Sequence, residues 1–329
     1  MAAQEHRRGN MDSYPIEIDF PDISAYSAGN SGVPYLYRFN SGSPGPHVMI
    51  NSLTHGNEVC GAIVVKELID LGLHLRRGKL TLSFANVAAY QSFDPAKPDR
   101  SRFVDQDLNR VWASAVLDDL SLDSVELRRA RELRPVIDTV DQLLDIHSMH
   151  ERSEGLLLSG PLQKGIDFAH RVRLPGNVIV DKGHAEGCRL RDYGPFGDKK
   201  QTQNALLVEC GQHWEKRAVL MARACTARFL TQSGVIDQAD LPERWWQENA
   251  PQPCTIRITD AVVATSMNFR FTADFKGLEC LPVAGTVVGW DGSKEIKTPY
   301  DNCVLVMPSL RQLQPGVTVV RFGEPDTQS

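Results

Sequence analysis

The feature that most constrains the fold is an apolar segment that ends in a polar turn and leads directly into a helical pattern. Residues 48–53 are mostly apolar, residues 55–58 are His-Gly-Asn-Glu, and apolar residues at helical spacing follow from residue 59. This order is typical of a strand that presents a polar turn at the start of a helix. His55 and Glu58 are three residues apart, which lets an imidazole and a carboxylate converge on one divalent metal ion. The alternative is a junction histidine beside a solvated glutamate.

A second apolar segment ends in a histidine that can supply another ligand. Residues 143–147 are Leu-Leu-Asp-Ile-His, so His147 lies where a buried strand would end. Two histidines and one carboxylate leave a coordination position open for water, as in catalytic rather than structural zinc sites. Asp145 lies two residues before His147, so both side chains lie on the same face of a strand. Asp145 therefore either accepts a hydrogen bond from the histidine ring or forms a salt bridge elsewhere.

A third apolar segment carries a glutamate near its carboxyl end. It spans residues 205–211 and contains Glu209. Because ligands bind outside the carboxyl ends of strands in open α/β sheets, we expect His55, His147 and Glu209 to meet at one edge of a sheet. Beside a metal ion, Glu209 would take a proton from water and return it to a leaving amine. The alternative is a strand-end carboxylate that pairs with an arginine.

A long polar loop provides candidate substrate contacts. Residues 90–112 contain four aspartates, three arginines and two prolines, without sustained periodicity. A loop of this length inside a compact domain usually has a function. If it folds over the metal site, Arg102, Asn109 and Arg110 offer donors to a substrate carboxylate or to a polarised carbonyl group. Otherwise it is a surface loop with local pairing between aspartate and arginine.

The order of the predicted elements favours an α/β fold. Apolar, strand-like segments alternate with helical patterns through residue 240, which indicates a largely parallel sheet flanked by helices. Residues 254–325 hold short strands and turns and are predicted to form a small all-β domain. Residues 1–13 are predicted to be a disordered N-terminal segment. The α/β domain is predicted to span residues 14–240.

Composition argues against several classes of partner. The 329 residues include 36 basic and 41 acidic ones, for a net charge of −5, and no block of lysine and arginine, so we expect no nucleic-acid partner. No apolar run approaches the roughly 18 residues of a membrane helix, and the polar first ten residues lack the apolar core of a signal peptide. The seven cysteines form no C-x-x-C pair, which favours reduced thiols in a cytoplasmic protein. The sequence is compatible with a homo-oligomer but does not require one.

Taken together, these segments resemble the aspartoacylase/succinylglutamate desuccinylase family, a branch of the zinc carboxypeptidase superfamily. The resemblance rests on five blocks in the family's order, at residues 55–58, 102–110, 145–147, 208–209 and 298–305. It implies a zinc-carboxypeptidase-like fold, with a central mixed and largely parallel sheet flanked by helices and a small C-terminal all-β domain. It also implies one zinc ion per chain and hydrolysis of the amide bond of a small N-acylated amino acid.

The resemblance further implies roles for seven side chains: metal ligation for His55, Glu58 and His147, acid–base catalysis for Glu209, and substrate contact for Arg102, Asn109 and Arg110. Together with the metal ion, Arg102 would stabilise the oxyanion that forms when water attacks the amide carbonyl.

Two further candidates are less tightly specified. Family members bind a second substrate carboxylate with a basic residue from the loop before the catalytic strand. That loop offers four basic residues here, between which spacing does not choose: Arg189, Arg191, Lys199 and Lys200. We take Arg191 as the candidate. From the last block we add Tyr300 as a candidate substrate contact.

Other classes of protein make different demands on the sequence. A zinc carboxypeptidase would use the same metal and base on the last bond of a short peptide. A non-catalytic zinc-binding scaffold would keep the ligands but would not need Glu209. A serine or cysteine hydrolase lacks support, because the chain has no G-x-S-x-G motif and Cys210 lies inside an apolar segment.

Overall fold

The structure, a computed structural model, describes residues 14–183, 186–247 and 251–326. The predicted disordered N-terminal segment, residues 1–13, lies outside these ranges. No helix within the described ranges is both long and apolar enough to cross a membrane.

Strands and helices alternate through the first two thirds of the chain. The strands there are β1 (Leu36–Asn40), β2 (His47–Ser52), β3 (Lys79–Phe84), β4 (Gln142–Met149), β5 (Leu156–Leu158), β6 (Asn177–Val180) and β7 (Asn204–Gln212). The helices are α1 (Cys60–Leu71), α2 (Val87–Gln91), α3 (Ser114–Asp118), α4 (Val125–Ile137), α5 (Gln163–Val172) and α6 (Lys216–Gln232). The later strands are β8 (Cys254–Val263), β9 (Phe269–Phe271), β10 (Glu279–Leu281), β11 (Val287–Asp291), β12 (Lys294–Lys297), β13 (Cys303–Val306) and β14 (Thr318–Pro325).

Eleven of these strands form one large mixed sheet. Its order is β1-β3-β2-β4-β7-β5-β6-β8-β14-β13-β10, and its central strands β3, β2, β4 and β7 are parallel. The predicted α/β class, with a central and largely parallel sheet flanked by helices, is confirmed. Because β2, β4 and β7 are parallel neighbours, the residues at their carboxyl ends lie at the same edge of the sheet. In this register His147 of β4 is the partner of Glu209 of β7.

Both faces of the central strands are buried, which is why their sequences are nearly continuous apolar runs. On one face, Ile50, Leu144 and Val208 belong to a core cluster that also contains residues of α1 and α6. On the other face, Met49 and Leu143 pack with residues of α4. Neighbouring residues alternate between the two clusters, as the period of two in a strand requires. The polar strand ends are therefore held by a sheet that is packed on both sides.

The described residues from 254 onward form strands and turns, as predicted. Strand β8 pairs in parallel with β6, and β14 pairs antiparallel with β8, so this part of the chain extends the large sheet. Strands β9, β11 and β12 form a separate three-stranded antiparallel sheet. We refer to residues 254–326 as the small β region. The division into domains at residues 14–240 and 254–325 stays a prediction.

The start of α4 fixes the long loop that precedes it. The Glu126 side chain is fully buried and accepts hydrogen bonds from three successive loop amides, at residues 104, 105 and 106, over 2.7, 3.1 and 3.2 Å. Its Oε1 atom also accepts from Asn86 Nδ2 at 3.0 Å. In return, Asp105 accepts from the first amide of the helix, that of Val125, at 2.7 Å. One buried carboxylate thus satisfies four donors and holds the loop against the helix.

We predict that Glu126→Gln loosens this loop although the side chain keeps its shape. The new amide group would face two N–H donors, and each buried donor left unsatisfied costs about 1–3 kcal/mol. Urea unfolding should therefore report a lower free energy of unfolding, and hydrogen–deuterium exchange should become faster at residues 104–106.

The matched control is Glu132→Gln on the same helix. Glu132 is exposed and pairs with Arg129 at the surface, so its change should leave both measurements near the wild-type values. Unchanged exchange at residues 104–106 in the Glu126 variant would contradict the role given to this carboxylate.

Candidate metal centre and active site

Three side chains from two strand ends meet at the carboxyl edge of the sheet. His55 and Glu58 lie in the turn between β2 and α1, and His147 lies near the end of β4. His55 Nδ1 lies 2.7 Å from Glu58 Oε1, and His147 Nδ1 lies 2.8 Å from Glu58 Oε2. All three residues are buried, and their potential ligand atoms lie within 4.8 Å of one another. The group has the size and chemistry to hold one metal ion.

The other nitrogen of each histidine ring contacts a second carboxylate. His55 Nε2 lies 2.9 Å from Asp107 Oδ1, and His147 Nε2 lies 2.8 Å from Asp145 Oδ2. Metal-binding histidines almost always donate their second N–H in this way, which fixes the ring and the tautomer. Both Nδ1 atoms are thereby directed to the same point beside Glu58. The side chains present therefore fit a divalent metal ion.

Asp145 is itself held from the other side. Its Oδ1 atom accepts from Asn51 Nδ2 and from Thr54 Oγ1, each at 2.8 Å. Of the two alternatives that the sequence left open for Asp145, the structure has the hydrogen bond to His147. Asp107 is a supporting residue that the sequence analysis did not identify, because its partner His55 is 52 residues away in the chain.

Glycine at position 56 is required by the close approach of two chain segments. A Cβ atom there would lie 2.3 Å from the carbonyl oxygen of Ser101 and 2.4 Å from the amide nitrogen of Tyr90. The amide of Gly56 donates to the carbonyl of Arg102 at 3.0 Å. The turn that carries the ligands is thus pressed directly against the long loop.

The neighbours of the ligands determine their charges. Burial alone would raise the pKa of Glu58, but His55 and His147 hold that pKa well below its usual range. Burial alone would lower the pKa of His147, but the Asp145 and Glu58 carboxylates raise that pKa well above its usual range. Both directions favour an ionised Glu58 carboxylate, which is the form that binds a divalent cation.

The long loop brings all three of its candidate residues to the pocket beside these ligands. Arg102 donates to Glu58 at 3.1 Å and to Asp107 at 3.2 Å. The Asn109 side chain accepts from the amide of Leu190 at 2.9 Å, which links this loop to the loop before β7. Arg102, Asn109 and Arg110 all line the pocket. The loop does contain a pair of arginine and aspartate, as the surface-loop alternative expected. This pair, Arg102 and Asp107, contacts the ligands Glu58 and His55.

Glu209 lies at the end of β7, opposite His147, and also lines the pocket. Its Oε2 atom is buried and has no hydrogen-bond partner among the described residues. Burial, followed by repulsion from the Glu58 carboxylate, raises the pKa of Glu209 to about 8. A carboxyl group with a pKa near neutrality can both accept and donate a proton under physiological conditions.

The pocket is a partly open cavity of about 160 Å³ between the sheet edge and the C-terminal segment. One wall comes from the end of β4, at Ser148, Met149 and His150. Another wall comes from residues within 307–321, a segment that follows the end of β13 and includes the first half of β14. The small β region therefore closes the site from one side.

Two sequence-based candidates do not reach this pocket. Arg191 is 1% exposed and directs its guanidinium group to Asp192 and to the carbonyl of Ala205, at the start of β7. Tyr300 packs on the core of the small β region, and its hydroxyl contacts Thr259 Oγ1 at 2.8 Å. Neither residue lines the cavity. The basic residue of the 181–204 loop that does line it is Arg189, two positions earlier.

Comparisons with known proteins agree with this arrangement. Residues 44–165 match the model of the succinylglutamate desuccinylase/aspartoacylase catalytic domain. An N-acyl-aromatic-L-amino acid amidohydrolase of Rattus norvegicus is 23% identical over 211 residues, which are 59% of this chain. The match spans about 61% of the length of that relative.

Solved structures share the fold at low sequence identity. Succinylglutamate desuccinylase from Vibrio cholerae has a TM-score of 0.66 and 16% identity, and the match covers 88% of this chain and 85% of that one. An aspartoacylase family protein from Mesorhizobium loti has a TM-score of 0.61 and 18% identity, with 90% of each chain covered. The resemblance seen in the sequence is confirmed over residues 44–165, which match the catalytic-domain model of the succinylglutamate desuccinylase/aspartoacylase family.

Proposed function

We propose that this protein is a zinc-dependent amidohydrolase that removes the acyl group from an N-acylated amino acid or a similar small, carboxylate-bearing amide. The observation that carries the proposal is the unpaired carboxylate of Glu209 beside the His55–Glu58–His147 group in one pocket. The family match and the name of the rat relative support this reaction class.

Two histidines and one glutamate are the ligand set of many catalytic zinc sites. When bound, a zinc ion supplies Lewis-acid chemistry, because it acidifies water and polarises a carbonyl oxygen. Within the described chain, His55, Glu58 and His147 would hold it, and Asp107 and Asp145 would keep the two rings in the ligating orientation.

Glu209 acts as general base and then as general acid. Its unpaired oxygen accepts a proton from the attacking water and returns that proton to the nitrogen of the leaving amine. A pKa of about 8 belongs to the metal-free site, and a nearby positive charge favours the ionised carboxylate. A cation bound at the His55–Glu58–His147 group would therefore lower the pKa of Glu209 from about 8.

The three loop residues have two different roles in the proposed reaction. The Arg102 guanidinium lies against the ligand Glu58, where it can donate to the carbonyl oxygen as negative charge develops. Asn109 and Arg110 line the same pocket and can hold the substrate carboxylate, which fixes the position of the amide bond. The cavity of about 160 Å³ is large enough for part of a small molecule.

Hydrolysis assays with and without a chelator test the proposal against a zinc carboxypeptidase. Activity on N-acyl amino acids, lost with the chelator and restored by Zn²⁺, is the expected result. Activity on short peptides alone would favour the carboxypeptidase instead. A cytoplasmic location, inferred from the scattered thiols, and a homo-oligomeric state stay predictions.

His147→Ala should lose bound zinc and activity together while the protein stays folded. One of three ligands is removed, and the large two-sided core does not depend on the metal. Elemental analysis and circular dichroism measure the two effects. The control is His74→Ala, at an exposed position on the surface, which should keep both zinc and activity. One zinc per chain in the His147 variant would refute its role as a ligand.

Glu209→Gln should keep zinc but lose most turnover. The amide cannot accept the proton of the attacking water, and a general base typically contributes about 10²–10⁴-fold to the rate. Steady-state kinetics on the zinc-loaded variant measure the loss, with the exposed Glu154→Gln as control. Turnover near the wild-type rate would show that another group is the base.

Arg110→Lys should lower kcat/KM for a substrate with a free carboxylate, because lysine lacks the planar pair of donors. The expected loss of transition-state stabilisation is about 1.5–3 kcal/mol. The same change should matter far less for the matching carboxamide substrate. The measurement compares wild type and variant on both substrates. Equal losses on the acid and the amide would mean that Arg110 supports the loop rather than binding the carboxylate.

A further inference from the structure

One pair of buried charges on the pocket wall is not used by the proposed reaction. Arg189 donates to both oxygens of Asp181, at 2.8 and 3.2 Å, and its Nε atom donates to Asp192 at 2.5 Å. Asp181 and Arg189 are each 3% exposed, and both line the pocket. The guanidinium group of Arg189 is thus bound by two carboxylates of its own chain.

Arg110 is paired much more loosely. Its nearest carboxylate oxygens are those of the half-exposed Glu186, at 3.5 Å, and of Asp107, at 4.0 Å. A substrate carboxylate can therefore approach Arg110 without displacing a short ion pair. At Arg189 it would have to displace Asp181, whose two parallel hydrogen bonds are the strongest geometry for this pair of groups.

A second arginine also faces Asp181. Arg321 Nε lies 3.8 Å from Asp181 Oδ2, so the carboxylate stands between two guanidinium groups. An incoming anion at this end of the pocket would compete with Asp181 for both of them. It would also lie beside a like charge that is out of contact with water, which is strongly unfavourable.

The lining contains equal numbers of carboxylates and arginines, and part of it is apolar. Four carboxylates line the cavity together with four arginines: Glu58, Glu151, Asp181 and Glu209, with Arg102, Arg110, Arg189 and Arg321. The apolar lining consists of Met149, Leu158, Leu207, Met307, Pro308 and Val317. Such a wall favours an uncharged group, because polar atoms buried without partners cost free energy.

We propose that the substrate carries a single carboxylate, and that its side chain and its acyl group are both neutral. This inference rests on the proposed function and narrows its substrate class to N-acylated neutral amino acids. The resemblance to the family predicted a basic residue of the 181–204 loop that binds a second carboxylate. Arg189 lines the pocket, but each of its three nitrogens already donates to a carboxylate: Nε to Asp192 and the two terminal nitrogens to Asp181.

The first experiment compares substrates that differ in one charge. Zinc-loaded wild-type protein is assayed on N-acetyl-L-asparagine and N-acetyl-L-aspartate, which have nearly the same shape. N-acetyl-L-leucine and N-succinyl-L-leucine form a second pair, in which the added carboxylate is on the acyl group. The neutral member of each pair should have a kcat/KM at least about tenfold higher, because like charges placed together are costly.

The second experiment changes Asp181. In Asp181→Asn the charge that occupies Arg189 is removed, so the preference for asparagine over aspartate should shrink by about tenfold or reverse. Asp192→Asn is the matched control, since it also removes a carboxylate partner of Arg189 but does not line the pocket. The asparagine-to-aspartate ratio of this control should stay at the wild-type value.

The outcomes separate this inference from the proposed function. A wild-type preference for aspartate or for the succinyl substrate would overturn the inference and leave the amidohydrolase standing. No hydrolysis of any of the four substrates would overturn the proposed function itself. The wild-type comparison does not depend on whether the Asp181 variant folds, and an equal change of the ratio in both variants would refute the role of Asp181.

Discussion

The buried network of carboxylates and histidines around Glu58 is the interaction on which the rest of the site depends. Glu58 contacts the Nδ1 atoms of both histidines, and Asp107 and Asp145 contact the two Nε2 atoms. Charges removed from water are tolerated only when they are paired and hydrogen-bonded. Strands β2 and β4 and the long loop must therefore meet in one register. A slip of one residue in β4 would turn His147 to the opposite face of the sheet.

Much of this arrangement is encoded locally and could be predicted. Apolar runs that end in His147 or Glu209 indicate buried strands with polar ends, and parallel neighbours bring those ends to one edge. The spacing of two between Asp145 and His147 places both on one face of β4, and the hydrogen bond between them follows. The motif at 55–58 contains its own glycine because the loop near Ser101 leaves no room for a side chain.

What the sequence did not specify depends on contacts between distant residues. Arg189 and Arg191 are two positions apart in a loop without periodicity, so no local signal distinguishes them. Their directions follow from long-range contacts: Arg189 meets Asp181 at the end of β6, and Arg191 packs against Gly160 and Ala205. The same holds for Glu126, one of two glutamates in helix α4, because only the structure shows that the loop amides at residues 104–106 donate to it.

The pattern of satisfied and unsatisfied charges explains where a ligand can enter. Most buried charges on the described pocket wall have a close partner, as Arg102 has in Glu58 and Arg189 in Asp181. Glu209, with an unpaired oxygen, and Arg110, whose nearest carboxylate is 3.5 Å away, are the exceptions. A buried polar group without a partner is costly, so a molecule that donates a hydrogen bond to the Glu209 oxygen would be stabilised there. In the proposed reaction, water would donate to Glu209 and the substrate carboxylate would bind Arg110, so the amide bond would lie between these two groups.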